Sequence, residues 1–311
     1  MDGGQTLKKP WLVAVWPGIG QVALSAGFYL MAKLGMHQVA EFSASGLFDV
    51  EHITVKSGRV QPTFKPRNRC FVWKAPDGER DILVFIGEAQ PPIGKFTFCE
   101  QLIDFAINLG VERVFTFAAM ATEMHPDRNS RVFAAATDDQ TLASLQDLNV
   151  ELLEEAHISG LNGILIAAAL ERGVSGTCLL GEMPHIFAQM PYPKASLAVL
   201  KVFAGMTNLK IDFQELEEQA SDMDAKLGEL LSRLEQRLQT GQQGELEEEY
   251  PPNPLDEGLS EAERQKIENL FRAAAKDRSK AYELKSELDR LEIFREYEDR
   301  FLDLFKPGDQ K

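Results

Sequence analysis

The stretch WPGIGQVA, residues 16–23, places Gly18, Gly20 and Ala23 at the G-x-G-x-x-G/A spacing of a dinucleotide-binding turn. Such a turn cradles a pyrophosphate on backbone amides and uses an acid about 20 residues downstream for the ribose. Glu41 stands near that distance, whereas Pro17 removes one amide from the turn. The structural alternative is that both glycines let the chain bend sharply and bring a helix close to a sheet. A second pattern occurs twice. LVFIGEAQPP (83–92) and CLLGEMPHI (178–186) each run apolar segment, Gly, Glu, Pro, and set Glu88 and Glu182 just past the expected end of a strand. Ligands of open α/β sheets bind at that edge. Two carboxylates whose environments split their pKa values can share acid–base work there; each can equally satisfy loop amides or a helix N-terminus. A third stretch, HISGLNGILIAAAL (157–170), offers Ser159 as an N-cap, with Gly160, Asn162 and Gly163 opening a helix. That reads either as an anion site or as an ordinary helix start.

Other catalytic signatures are missing. No G-x-S-x-G elbow occurs. The five histidines are scattered without H-E-x-x-H spacing. Glu123, His125 and Asp127 fall within five residues, which a Pro-bearing polar loop explains as well as a metal site does. Cys70, Cys99 and Cys178 are odd in number and widely spaced, with no C-x-x-C, so neither a disulfide framework nor a zinc site is expected. No metal and no cofactor is expected.

The elements that would position these residues alternate. Residues 11–16 form a continuous apolar run suited to a buried parallel strand. Helical spacing follows over 22–34 and stops at Gly35. Strands are expected at 39–42, 81–87, 113–118, 132–136 and 177–180, and helices at 96–109, 138–148, 161–172 and 194–206. Residues 43–80 mix short β-prone pieces with turns. Such alternation implies a mostly parallel sheet covered on both faces. Past 211 the pattern changes. Leu216, Ala220, Met223, Leu227, Leu230, Leu234 and Leu238 make 212–239 one amphipathic helix. Residues 240–259 are rich in Gly, Pro and Glu and read as a linker. Ser260 and Glu263 form a capping-box pattern, and a helical stripe runs from Leu284 to Leu304. The expected organisation is an α/β domain at 1–211, a helix at 212–239, a linker at 240–259 and a helical extension at 260–311.

Composition narrows the function classes. The formal net charge is −15, which disfavours nucleic acid as a partner. Residues 215–311 hold 26 acidic and 15 basic side chains, so most of the acidity sits in the C-terminal third. The start MDGGQTLKKP carries no signal-peptide core, and the longest apolar run is too short to span a bilayer. A soluble cytoplasmic protein with no membrane partner is expected.

WPGIGQVA, GEAQPP, HISGLNGILIAAALERGVSGTCLLGEMPHI, YPKASLAVLKVF and IDFQELEEQA, in this order over about residues 10–235, resemble the proteasome assembly chaperone-2 family. The resemblance implies a three-layer α/β/α sandwich of nucleoside-phosphorylase type. It also implies a non-catalytic chaperone-like role with protein partners, proteasome subunits among them. In that family the WPGIG turn is a fold signature. Gly18, Gly20, Gly87, Glu88, Ser159, Gly160, Asn162, Gly163, Gly181 and Glu182 would shape one rim of the sheet. Some family members end in a hydrophobic–Tyr–any tail; this chain ends KPGDQK. The expectation is therefore a homo-oligomer, a trimer being one form, that binds or assembles proteins. The alternative is a binder or enzyme for a nucleoside or phosphate-containing ligand at the strand-end rim.

Overall fold

The computed structural model describes residues 7–44, 46–48, 53, 55–56, 58–60, 65–76, 78–240, 259–291 and 293–306, without the side chains of 233–240. The expected linker and the KPGDQK tail fall almost entirely outside them. Eight strands make one sheet: β1 (Trp11–Val15), β2 (His37–Glu41), β5 (Asn68–Trp73), β6 (Ile82–Gly87), β7 (Arg113–Thr122), β8 (Val132–Ala136), β9 (Val150–Leu152) and β10 (Ser175–Pro184). Their order is β2-β5-β6-β1-β7-β10-β8-β9. The central run β6-β1-β7-β10 is parallel, while β5 and β8 enter antiparallel on either side. A separate ribbon pairs β3 (Val55–Lys56) with β4 (Arg59–Val60).

The central strands are apolar on both faces because both faces are covered. On β1, Leu12 and Ala14 join a core with Phe98, Leu102, Leu161 and Leu165 from α2 (Lys95–Asn108) and α4 (Gly160–Glu171). Val13 and Val15 face the other way, toward α1 (Val22–Lys33) and α5 (Pro193–Thr207). A short helix, α3 (Asp139–Leu145), begins at Asp138, whose carboxylate accepts from Thr141 N at 2.8 Å. The long α6 (Gln214–Thr240) lies along α5, burying Leu216, Ala220 and Leu227.

The C-terminal helices α7 (Glu261–Lys276), α8 (Ala281–Arg290) and α9 (Phe294–Asp303) fold back onto α1. Ser260 and Glu263 close the capping box that opens α7. The Leu284–Leu304 stripe is split between α8 and α9. Phe28 meets Phe294 and Phe301 edge-on at 5.2 and 5.6 Å, and Tyr29 meets Tyr282 at 4.5 Å. Phe305 packs on Phe71 of β5 and accepts a backbone hydrogen bond from Gln38 of β2 at 2.7 Å. With the sheet on one side and the extension on the other, α1 is buried nearly all round. No helix among the described residues is long and apolar enough to cross a membrane.

Candidate functional site

The C-terminal ends of β1, β6, β7 and β10 form one rim of the sheet, and the WPGIG turn sits in its middle. Gly20 has φ +61°, and a Cβ there would fall 2.5 Å from Met183 Sδ, so any other residue would be strained and would have to displace the Met183 side chain. Gly18 is extended, with open space where a Cβ would go, so its position does not need glycine. Gly20 N donates to Ala188 O and Gln21 N to Gly18 O, both at 3.0 Å; Gly20 O accepts from Tyr192 N at 2.9 Å. Two of the amides that would cradle a pyrophosphate are thus spent on the chain itself. Glu41 lies on β2, three strand spacings or about 14 Å from β1. In a dinucleotide fold the acid belongs to the neighbouring strand. Here Glu41 accepts from Arg67 Nε and Nη2 at 2.9 and 2.7 Å, and that pairing holds its carboxyl below the usual range.

The start of α4 is tied to this turn by a residue the sequence reading did not single out. Gln90 Nε2 donates to Pro17 O at 3.0 Å, and Gln90 Oε1 accepts from Leu161 N at 3.2 Å. Gly160, at φ +74°, lets the chain pass beside that amide. Ser159 occupies the N-cap position, but its hydroxyl makes no capping bond, contrary to the sequence expectation. The helix amide goes to Gln90 instead. Asn162 is buried; its carbonyl accepts from Thr116 Oγ1 at 2.9 Å, and its Oδ1 has no hydrogen-bond partner among the described residues. A Cβ on Gly163 would lie 2.2 Å from Ile158 O. The only signal for Gln90 was its place inside GEAQPP.

The two carboxylates part company. Glu182 is not past the end of β10 but inside it, opposite Met120 of β7, because β10 continues to Pro184. Arg131 clamps it through Nε at 2.7 Å and Nη2 at 2.6 Å, and Thr122 Oγ1 donates at 2.8 Å. Chiefly through the Arg131 bonds, its carboxyl is held below the usual range. Glu88 does follow β6. Its Oε2 accepts from Arg67 N at 2.8 Å, and its Oε1 lies 3.3 Å from Nη2 of the fully buried Arg69. Burial pushes the Glu88 carboxyl up. About 14 Å of sheet separates the strands carrying Glu88 and Glu182, and the two share no partner, so they do not form an acid–base pair. The glycines before them serve packing. A Cβ on Gly87 would strike the Trp16 indole at 2.3 Å, and one on Gly181 would strike Ala195 O at 2.6 Å.

Among the side chains the rim presents outward are several large apolar ones. Ile19 on the turn is 49% exposed, Ile186 53% and Met190 37%. The Gly20 hydrogen bonds hold the loop carrying Ile186 and Met190 against the turn. Ile93 and Phe96, beyond Glu88, are also exposed. His125 pairs with Asp127 at 3.2 Å and His185 with Glu123 at 3.5 Å, on the outer surface. No group of three or more His, Cys, Asp or Glu that could hold a metal ion occurs among the described residues. All three cysteines are free and buried, and desolvation pushes their thiols up to about 12. They are therefore unreactive as nucleophiles at neutral pH.

The crystal structure of Pyrococcus furiosus PbaB, described as an archaeal proteasome activator, is similar at a TM-score of 0.62 and 26% identity. The match covers 73% of this chain and 96% of that one. A PAC2 family protein from Streptomyces avermitilis matches at 0.61 and 28% identity, covering 71% and 95%. A Methanocaldococcus jannaschii protein described as uncharacterized is 23% identical over 241 residues, 76% of this chain and 89% of that one. The two structural likenesses share the fold, and the model of the PAC2 family matches residues 12–231. The chain therefore belongs to the PAC2 family.

Proposed function

We propose that this protein is a non-enzymatic, assembly-chaperone-like binding protein that acts as a homo-oligomer and offers its strand-end rim to protein partners, with proteasome subunits the first candidates. One observation carries the reading. The rim's turn amides and carboxylates are engaged within the chain, while Ile19, Ile186 and Met190 stand exposed together at its crest. Large apolar side chains left exposed on the turn and on the loop bonded to it suit protein contact. Family membership and the likeness to a proteasome activator add support. The test is a double variant, Ile19→Asp with Ile186→Asp. Wild type should co-purify with proteasome α subunits when co-expressed, and the variant should not, at unchanged thermal stability. Equal recovery of subunits with both proteins would remove the rim from the reading.

A second reading, a small-molecule binder at the same rim, is favoured by three buried polar atoms without partners among the described residues: Trp16 Nε1, Asn68 Oδ1 and Asn162 Oδ1. A thermal-shift panel of nucleosides, phosphate and dinucleotides tests it. A ligand at 100 times its Kd should stabilise by about 2.7 kcal/mol. No shift across the panel would eliminate this reading for those classes.

A further inference from the structure

At the opposite end of the sheet from the WPGIG turn, the strands begin among cations. Buried Asp81, just before β6, is spent on backbone. Its Oδ2 accepts from Lys8 N at 2.9 Å and its Oδ1 from Ala75 N at 3.1 Å, while its own N donates to Lys8 O at 3.0 Å. Those bonds fix the segment leading into β1 against the turn before β6. Lys9 is held there at φ +40°, a conformation few residues other than glycine adopt. Gly78, at φ +70°, leaves room for the Lys8 ammonium, since a Cβ there would lie 2.7 Å from Lys8 Nζ. Arg80 lays its guanidinium on the Trp11 ring, 3.8 Å from the centroid, and Arg113 at the start of β7 approaches the same ring at 4.8 Å. Arg80 Nε is buried with no hydrogen-bond partner among the described residues. Desolvation lowers the pKa of Arg113, and the Arg80 charge adds to it against Asp138. Asp138 is already bonded by Thr141 N, Thr141 Oγ1 and Ser175 Oγ. Among the described residues, no ion pair engages Lys8, Lys9, Arg80 or Arg113.

We propose that this edge is a binding site for the phosphate chain of a small molecule, held by Lys8, Lys9 and Arg80 in the groove they line. The groove has a volume of 570 Å³, and Gly78 and Glu79 complete its lining, so three cations face one carboxylate. A volume of several hundred Å³ suits a small ligand. Gathering like charges without counter-ions is unfavourable, and a bound anion relieves it. Asp81 fixes the lysine backbone and the Trp11 ring fixes the Arg80 guanidinium before any ligand arrives, which lowers the ordering cost of binding. A guanidinium takes phosphate oxygens in pairs, and the two ammoniums supply charge along a short chain. Carboxylates on one face of an extended acidic peptide stand about 7 Å apart, too sparse for three cations in one compact groove. None of the lining side chains is aromatic, and Trp11 under Arg80 is buried, so the groove offers no ring on which to stack a base. The site therefore reads phosphates and not what they are attached to. It lies at the other end of the sheet from the rim, so it stands whether or not the rim binds proteins.

The test titrates tripolyphosphate into the full-length protein at low salt, read by calorimetry and by the tryptophan indole N–H resonances. Tripolyphosphate should bind saturably, and ATP without metal should bind comparably, because no contact reads the base. The double variant Lys8→Gln with Lys9→Gln changes two exposed side chains, so its thermal stability should match wild type. Its affinity for tripolyphosphate should fall by about tenfold or more, since charge-assisted bonds are lost. The Trp11 indole resonance should shift during the titration, and that of Trp16, beside the rim, should stay in place. Absence of saturable binding to wild type, or equal affinity in the double variant, would overturn the site. A shift at Trp16 in place of Trp11 would put the anion at the rim and would overturn it too. Displacement of tripolyphosphate by an equal concentration of hexaglutamate would overturn the phosphate class in favour of an acidic peptide.

Discussion

Glu88 and Glu182 each follow a packing glycine at the end of a nearly identical apolar phrase, yet the chain treats them in opposite ways. Glu182 is completed within the sandwich. Thr122, at the end of β7, and Arg131, just before β8, supply three hydrogen bonds, and the carboxyl is held below the usual range. Glu88 accepts from Arg67 N and lies 3.3 Å from Arg69 on the neighbouring strand, but that arginine is shared with a helix more than 200 residues further along the chain, and burial pushes the Glu88 carboxyl up. A strand-end carboxylate therefore takes its character from which charges reach it, and the local phrase does not decide that. One phrase serves a self-contained domain; the other joins the domain to its extension.

The largest expected effect sharpens this contrast. Phe301 is fully buried against Phe28, Phe294 and Phe305, and Phe301→Ala should cost the docking of α7–α9 about 4 kcal/mol. Hydrogen exchange should then show α7–α9 and β5 losing protection while β10 keeps its own. Equal loss in β10 would break the contrast. Next come the glycines. Gly181→Ala and Gly87→Ala should each cost about 3 kcal/mol by overpacking, read as a lowered urea midpoint at unchanged slope. A third comparison uses pH. Glu182 has a lowered pKa, so the stability it confers is present above pH 4.5 and lost as the pH falls through the lowered value; Glu182→Gln should flatten that acid limb. Glu88, raised, should show the reverse, with Glu88→Gln relatively more stable toward neutral pH. Smallest are the residues two and more positions along. Gln90→Ala should cost about 1 kcal/mol, because Pro17 O and Leu161 N lose their partner. Ser159→Ala should stay within about 0.5 kcal/mol, since its hydroxyl caps nothing.

The sandwich could be read from the sequence because its central strands are buried on both faces. WLVAV and ILVFIG are continuous apolar runs, and such runs report burial directly. The run TCLL predicts a strand ending at Leu180; the Arg131 clamp on Glu182 lets β10 continue to Pro184. The three-residue β9, Val150–Leu152, carries no sequence signal because VEL is too short to show alternation. At the rim, the glycine positions could be read, but the junction with α9 could not. Arg67 and Arg69 sit in a plain Pro-Arg-Asn-Arg stretch, and nothing local links them to Asp299. Gln90 is silent in the sequence for the same reason, since both its partners lie about 70 residues away.

The hydrogen bond from Gln38 N to Phe305 O bears on how the protein behaves at high concentration. β2 is an outermost strand, and an unpaired edge is a template for the edge of another molecule. By laying its own backbone along Gln38 and pressing the Phe305 ring onto Phe71, the chain blocks that edge from recruiting copies into an extended sheet. Shortened forms that end near residue 240 would bare both this edge and the apolar back of α1. Their failure to stay in solution would therefore report a lost guard against aggregation, and would say nothing about a lost partner.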